Sequence, residues 1–487
     1  MDGLVSGLNQ VVWSNGLLFL CFGAGIYFTI VLRFVQIRYI KEMFRLLWQS
    51  SESERGVSSF QALALSVSGR VGTGNIAGVA TAIAYGGPGA VFWMWLIAFL
   101  GAASAFVESV LGQMYKVEDS GELRGGPAYF IDRAMGSKPY AAVFALVTVV
   151  ATGFLLPGVQ SNSIAVGLNG ALDIPVAVTA GGLVIALGLI IFGGVKRIAH
   201  VAQFVVPFMA LAYIIMAMAV LVANYELLDD VMKLIITSAF GQHQVMGGIA
   251  GAALSWGVKR GVFSSEAGQG TGPHAAAAAE VSHPVKQGLV QAFSIYIDTL
   301  FVCTATAFMI LVTQSYNVIG AEGQLLVDNI GSIEVGPMYT QIAISSLFGG
   351  FGGPFVALAL LFFAFTTLMA YYYIAETNVA YLSRHIDHKL AINALRVGIL
   401  LAVMYGCLNS AKVAWALGDL GVGVMAWLNL VAILILHPKV LLCFRDYERQ
   451  YRAGKDPVFD GSKFGVDDKV WSHRDEAELK EPLPGTV

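Results

Sequence analysis

"SVSGRVGTGNIAGVA", residues 66–80, decides the fold. It lies inside an apolar run from Phe60 to Tyr85, long enough to cross a hydrocarbon core that takes about 20 apolar residues. Four glycines and Arg70 fall near its middle, where a helix break and a charge are both most costly. Breaking a helix there frees carbonyl and N–H groups that survive only if protein, water or a ligand satisfies them. One half-helix ending near Ser68–Val71 offers carbonyls at a negative dipole end. The next, beginning near Thr73–Asn75, offers N–H groups at a positive one. A cation and a carboxylate can thus be held side by side, with Gly69, Gly72 and Gly74 allowing close approach to the chain.

The rest of the 487 residues fits a membrane setting: 56% are hydrophobic and only 13% charged, half the share of a soluble domain. Eleven apolar runs span about the right length: 11–36, 60–85, 88–117, 138–171, 174–194, 197–223, 248–280, 285–316, 352–384, 390–410 and 412–436. The fourth carries Pro157-Gly158 and reads as one kinked helix. Lysine and arginine alternate between the connecting segments. One side holds Arg33 to Arg55, Lys116 to Lys138, Lys196 and Arg197, Lys286, and Arg384 to Arg396; the other holds only Lys233 and Lys412. This places the N-terminus outside and the C-terminus in the cytoplasm, in a multi-pass protein of the cytoplasmic (inner) membrane. MDGLVSGLNQ has no basic n-region, so the first span is expected to be retained.

Arg70, Lys259 and Arg260 remain inside spans, all in glycine-rich stretches. "ALSWGVKRGVFSSEAGQGTGP" in span 7 begins with Ala-Leu-Ser, as does the break in span 2, and Arg260 precedes Gly268 as Arg70 precedes Gly78. The arginines lie 190 residues and five spans apart, so the copies are inverted, with a second break expected around Gly257–Gly261. The division is then an extra helix and linker (1–59), repeat one (60–223), an outer loop with an interfacial helix (224–247), repeat two (248–436) and a cytoplasmic tail (437–487), read as solvated. Residues 225–240 and 337–348 have helical periodicity and read as outer interfacial or capping helices.

Other candidates are weaker. Arg70 and Glu108 share a depth of about 15 Å, which suggests a structural or gating ion pair. Asp298, Glu376 and Asp419 are intramembrane acids that either touch a ligand or ion or pair with Lys259, Arg260 or backbone. Thr366 and Thr367 either complete an oxygen cage for a hard cation or bond their own helix. Gln160 faces a cavity or glues helices. Gly74 and Gly78 could equally be a packing pair. Gly72-Thr73-Gly74 lacks the βαβ setting of a dinucleotide site. Cys21, Cys303, Cys407 and Cys443 read as apolar filler. No HExxH, Walker A or triad pattern occurs, so no enzyme and no cofactor is expected, and an ion gradient would supply the energy.

"GGPGAVFWMW" (86–95), "GTGNIAGVA" (72–80) and "RGVFSSEAGQGTGPHAAAAA" (260–279) together resemble the alanine/glycine:cation symporter family. The resemblance implies an all-α leucine-transporter-type fold, a five-plus-five inverted repeat behind one extra helix. It implies uptake of small neutral amino acids, chiefly alanine and glycine, coupled to Na+ or in some members to H+. By position, it gives Thr73, Gly74, Asn75, Gln160, Gly261, Val262, Phe263 and Ser264 to the substrate, and Ser68, Val71, Thr366 and Thr367 to Na+. Where members usually read FSTILGWSYYGE, this chain reads FTTLMAYYYIAE (365–376), so Ala370-Tyr371 replaces a Gly-Trp pair bordering the substrate. Ser265 stands where Asn is commoner. The other reading open at this stage is a channel-like or amino-acid-sensing membrane protein of the same fold without coupled flux.

Overall fold

A computed structural model describes residues 2–48, 56–119, 121–242, 249–384, 389–466 and 470–471, and in it the chain is mostly helical. His385, His388 and the tail beyond Trp471 lie outside the described residues. Among the described residues, eight helical runs are long and apolar enough to cross a membrane: Val5–Val31, Ala90–Met114, Lys138–Leu172, Gly194–Ala223, Pro284–Val312, Pro337–Leu382, Lys389–Leu408 and Ala411–Arg452. Val176–Ile191 is apolar but shorter. Two more apolar stretches are helical in pieces, and these position the site.

The first piece, α1 (Ser59–Arg70), starts at a capping box: Ser58 Oγ accepts from the Gln61 amide and Gln61 Oε1 from the Ser58 amide. It stops at Arg70. Val71 and Gly72 leave the helix, and the chain rewinds through π-wound Gly74–Gly78 into α2 (Val79–Gly86). Next comes α3 (Ala90–Met114). Lys138–Leu172 is one run, as the sequence suggested, with a π-wound segment at Ala151–Leu155 just ahead of Pro157. Proline's missing N–H and ring crowd the preceding turn, which is where helices bend. Its second part is α4 (Leu156–Leu172).

In the second interrupted stretch, α5 (Ala250–Ser265) runs straight through Gly257–Gly261, where the sequence reading put the break. The interruption falls instead at Glu266–Thr271, ahead of α6 (Gly272–Ala278). Two kinds of glycine explain the shift. Gly257 and Gly261 are four apart on one face, where an added Cβ would lie 2.5 Å from the Ala90 carbonyl oxygen and 2.4 Å from Ile97 Cγ2, so they let α5 lie close on α3. Gly268 and Gly270 have φ of +79° and +85°, which side chains rarely adopt, and they turn the chain. Arg260 therefore sits inside a helix whereas Arg70 ends one, and aligning the two arginines does not align the breaks.

After α6 come α7 (Pro284–Ile295), which continues π-wound through Tyr296–Cys303, then α8 (Gly352–Leu382) and α9 (Ala411–Arg452). α8 is buried almost throughout from Thr366 to Tyr381. Pro337–Phe348 packs beside it, with Tyr339, Ala343 and Ile344 buried.

The tail departs from expectation. α9 continues 16 residues past Leu436, and the following segment is fastened to the loop before α7 rather than solvated. Ser282 Oγ donates to the Pro457 carbonyl, the Phe459 amide to the Ser282 carbonyl, and Lys286 Nζ pairs with Asp456 at 2.6 Å. The Phe459 ring is 2% exposed and meets the His283 ring edge-on. Charge made this segment look like a solvated tail, but a few aromatic anchors hold it down.

Candidate substrate and cation site

The interruption between α1 and α2 is met by α4 and α8. Thr367 Oγ1 of α8 shares its one hydrogen between the Ser68 carbonyl (2.8 Å) and its own Phe363 carbonyl (3.0 Å), so it bonds its own helix and also reaches the break. A Cβ on Gly72 would sit 2.4 Å from Thr367 Oγ1 and 3.0 Å from Gln160 Oε1. The Thr73 amide donates to Gln160 Oε1 (3.1 Å) and the Gly72 amide to Asn75 Oδ1 (2.8 Å). Thr73 Oγ1 is buried without a partner. Ser68, Val71, Thr73, Gly74, Asn75, Gln160 and Thr367 therefore form one cluster around bent backbone.

From α5, the Phe263 ring and Ser264 close on Gly74, whose Cβ would lie 3.3 Å and 3.2 Å from them. Ser264 Oγ donates to both Asp298 oxygens (3.0 and 3.1 Å), and Asn75 Nδ2 to Asp298 Oδ1 (2.7 Å). Tyr371 is buried on α8 facing Glu266 and Gln160.

Three expected members fall elsewhere. Gly261 faces α3, as above. Val262 offers its carbonyl to the Glu266 amide and to Gln269 Nε2, closing the end of α5. Thr366 bonds the Phe363 carbonyl (2.9 Å) and points toward Met209, because neighbouring helical residues diverge by about 100°.

No ion pair closes between Arg70 and Glu108. Arg70 Nη1 instead reaches Ser294 Oγ and Gln291 Oε1 on α7. Glu108 accepts from Asn429 Nδ2 (2.6 Å) and from the Gly270 and Gly268 amides (3.2 and 3.4 Å), donors that the positive-φ turn brings to it. The two side chains do share a depth: a Cβ on Gly272 would be 2.7 Å from Arg70 Nη2 and 3.7 Å from Glu108 Oε1. The start of α6 stands between them.

The cluster is closed unequally on its two sides. Away from the tail, Asp419 of α9 binds Arg260 Nη2 (2.5 and 2.6 Å) and Lys259 Nζ (2.7 Å). The Arg260 guanidinium lies over the Trp415 ring at 4.5 Å, and Trp415 leans on Phe263. Beyond this single layer opens a cavity of about 440 Å³ whose walls include Tyr85, Trp256, Lys259, Arg260, Glu334 and Trp415. Toward the tail the closure is deeper. Val57 pairs with the chain at 278–280, Gln113 Nε2 and Lys116 Nζ bond the Ala279 carbonyl (2.9 and 3.0 Å), and the fastened tail lies beneath. Glu376, the remaining intramembrane acid, lies 3.6 Å from Arg124.

Glu266 went unassigned at the sequence level. Its φ of +55°, rare outside glycine and Asn/Asp, ends α5 and turns its carboxylate against Gly69 of the other break. Its place in a polar Ser-Ser-Glu run was the only available signal.

The model of the sodium:alanine symporter family matches residues 1–461. YrbD of Bacillus subtilis (strain 168), named as a candidate sodium/proton-dependent alanine carrier, is 56% identical over 98% of this chain and 99% of its own length. The sodium/proton-dependent alanine carrier protein of Bacillus sp. (strain PS3) is 52% identical over 88% of this chain and 97% of its own. The sodium/alanine symporter AgcS of Methanococcus maripaludis is 35% identical over 89% and 94%. These relatives are named as carriers, not enzymes. In fold, the chain resembles the crystal structure of MhsT in complex with L-phenylalanine, with a TM-score of 0.54 at 16% identity over 81% of this chain and 99% of that one. A multi-pass membrane transporter by these measures, the chain belongs to the sodium:alanine symporter family.

Proposed function

We propose that the protein is a secondary symporter that couples Na+ entry to uptake of small neutral amino acids, chiefly alanine, by alternating access. The observation that carries this is the interrupted α1–α2 backbone, where the Ser68 carbonyl and Thr367 hydroxyl lie next to the Thr73–Asn75 amides. On this reading Na+ takes the Ser68 and Val71 carbonyls, and the Thr367 hydroxyl turns its lone pair inward. The substrate carboxylate takes the amides at Thr73 and Gly74, displacing Gln160. Phe263 and Tyr371 bound a space for a small side chain. The eleven crossings, the 60–223 and 248–436 repeats and an outer N-terminus belong to the same reading, as does glycine as a second substrate. The single Arg260–Asp419–Trp415 layer then faces outside and the deep closure faces the cytoplasm, an outward-facing arrangement. Names of relatives support a cation-coupled alanine carrier.

Labelled alanine uptake into proteoliposomes, with and without an inward Na+ gradient at fixed pH and clamped voltage, tests it. Accumulation above equilibrium only with the gradient is expected; equilibration without accumulation would indicate a facilitator and overturn coupling. Thr367→Ala should raise the Na+ concentration for half-maximal uptake about tenfold, roughly 1.4 kcal/mol of lost ligand energy. Thr366→Ala should leave it within about twofold, since its hydroxyl bonds its own helix and points toward Met209, away from the break. Equal effects of the two would show that the ligand set is wrong. Tyr371→Trp fills space beside Glu266 and Gln160 and should shift competition toward glycine over alanine, read by inhibition of labelled alanine uptake.

A further inference from the structure

We infer that the void beside Glu266 is a second sodium site, loaded together with the one at Ser68 and Thr367. Charge is the first ground. Arg70, Glu108, Glu266 and Asp298 are each 3% exposed or less. The groups acting on Glu266 are Arg70 from α1, Asp298 from the extension of α7, and Tyr371 from α8, with Glu108 of α3 across the Gly268–Gly270 turn. His274 of α6 adds no charge: Nε2 accepts from Asn378 Nδ2, so Nδ1 carries the hydrogen and donates to the Thr271 carbonyl. Three acids thus face one base. With all three acids ionised, a single Na+ at Ser68 and Thr367 leaves one negative charge unbalanced in the membrane interior, and such charges are paired or answered by an ion. The count rests on the symport reading above.

Geometry is the second ground, and it selects which acid needs the ion. Asp298 is served by Asn75, Ser264 and Thr299, and Glu108 by Asn429 and two backbone amides. Glu266 receives Thr271 Oγ1, at 2.8 Å on Oε2, and lies against the Tyr371 hydroxyl, while Oε1 is buried without a hydrogen-bond partner. Next to it lies a void of about 10 Å³ bordered by Ser66, Gly69, Glu266, Thr271, Ala370 and Tyr373. That is about the space one water or one bare sodium ion occupies. Ser66 Oγ, also on the void, is buried and unpartnered. A carboxylate and two hydroxyls around so small a space form a hard-oxygen set suited to a monovalent cation. A proton on Glu266 would cancel the charge but would use neither the void nor Ser66. The position is separate from the first site: neither Ser68 nor Thr367 lines the void.

The coupling ratio tests this in proteoliposomes of the full chain. At each imposed Na+ gradient, the alanine gradient that stops net flux is measured at zero voltage. With two Na+ per alanine, that null alanine ratio follows the square of the Na+ ratio. With Glu266→Gln it should follow the first power. A first-power dependence in the wild type, or a square dependence kept by Glu266→Gln, would overturn the second site. So would a null point that moves with the pH gradient, since the second cation would then be a proton. Should Glu266→Gln not transport, equilibrium binding of radioactive Na+ to the purified protein decides: the ratio per chain should fall from two to one, and an unchanged ratio refutes the site. Absence of any Na+-driven accumulation by the wild type would instead reject the symport reading itself.

Discussion

Gly72→Ala is expected to lower alanine uptake by about 100-fold or more at normal levels in the membrane, the penalty a misplacement of about 1 Å brings to a preorganised site. Its Cβ would stand 2.4 Å from Thr367 Oγ1 and 3.0 Å from Gln160 Oε1, distances that force α8 or α4 away from the bent backbone. The Thr367 bond to the Ser68 carbonyl and the Gln160 bond to the Thr73 amide flank that very point. Gly78, six residues on, is the control. Its Cβ would meet nothing nearer than the Trp415 ring at 3.6 Å, an ordinary contact, so Gly78→Ala should transport within about twofold of wild type. Uptake normalised to protein in the membrane decides the comparison. Wild-type rates for Gly72→Ala would remove the α1–α2 break from the transport site.

Asp419→Asn should be the most destabilising of the conservative changes. Its carboxylate answers Arg260, 1% exposed, and Lys259, 18% exposed, at 2.5–2.7 Å. Removing the one anion leaves two cations against each other under Trp415, and breaking a buried pair from one side costs about 3–5 kcal/mol. Thermal unfolding of the detergent-purified protein should fall accordingly. Asp419→Asn combined with Arg260→Gln should recover most of the loss, because the most buried charge then goes too. If the double variant unfolds as early as the single one, the damage is to packing and not to charge.

How much of this was legible in the sequence depends on which coordinate is asked for. Position along a helix axis can be counted, so the interruption after Ser68 and the common depth of Arg70 and Glu108 were within reach. Rotation about the axis cannot be counted without the partner. That is why Thr366 and Thr367 read as a pair although only Thr367 turns toward α1, and why Arg70 and Glu108 at one depth still find different partners. The second interruption was misplaced because Gly257 and Gly261 resemble Gly72 and Gly74 in composition. Spacing tells them apart: glycines four apart share a helix face and invite packing, whereas Gly268 and Gly270, two apart, cannot share one and mark a turn. The fastened tail escaped notice because Tyr447, Phe459 and their neighbours are few among many charges.

One rod touches both closures. α9 is 42 residues of continuous helix, about 63 Å long. Near its beginning it carries Asp419 and Trp415, which hold the thin lid; near its end Tyr447 stacks on Tyr451 and meets His283, and the chain runs on into the strap over the deep closure. Pro438 is the point within it where such a helix bends. On the proposed symport reading, two doors hung on one beam would be hard to leave ajar at the same moment, so sodium would find no open path without cargo and its gradient would be drawn down only when cargo moves.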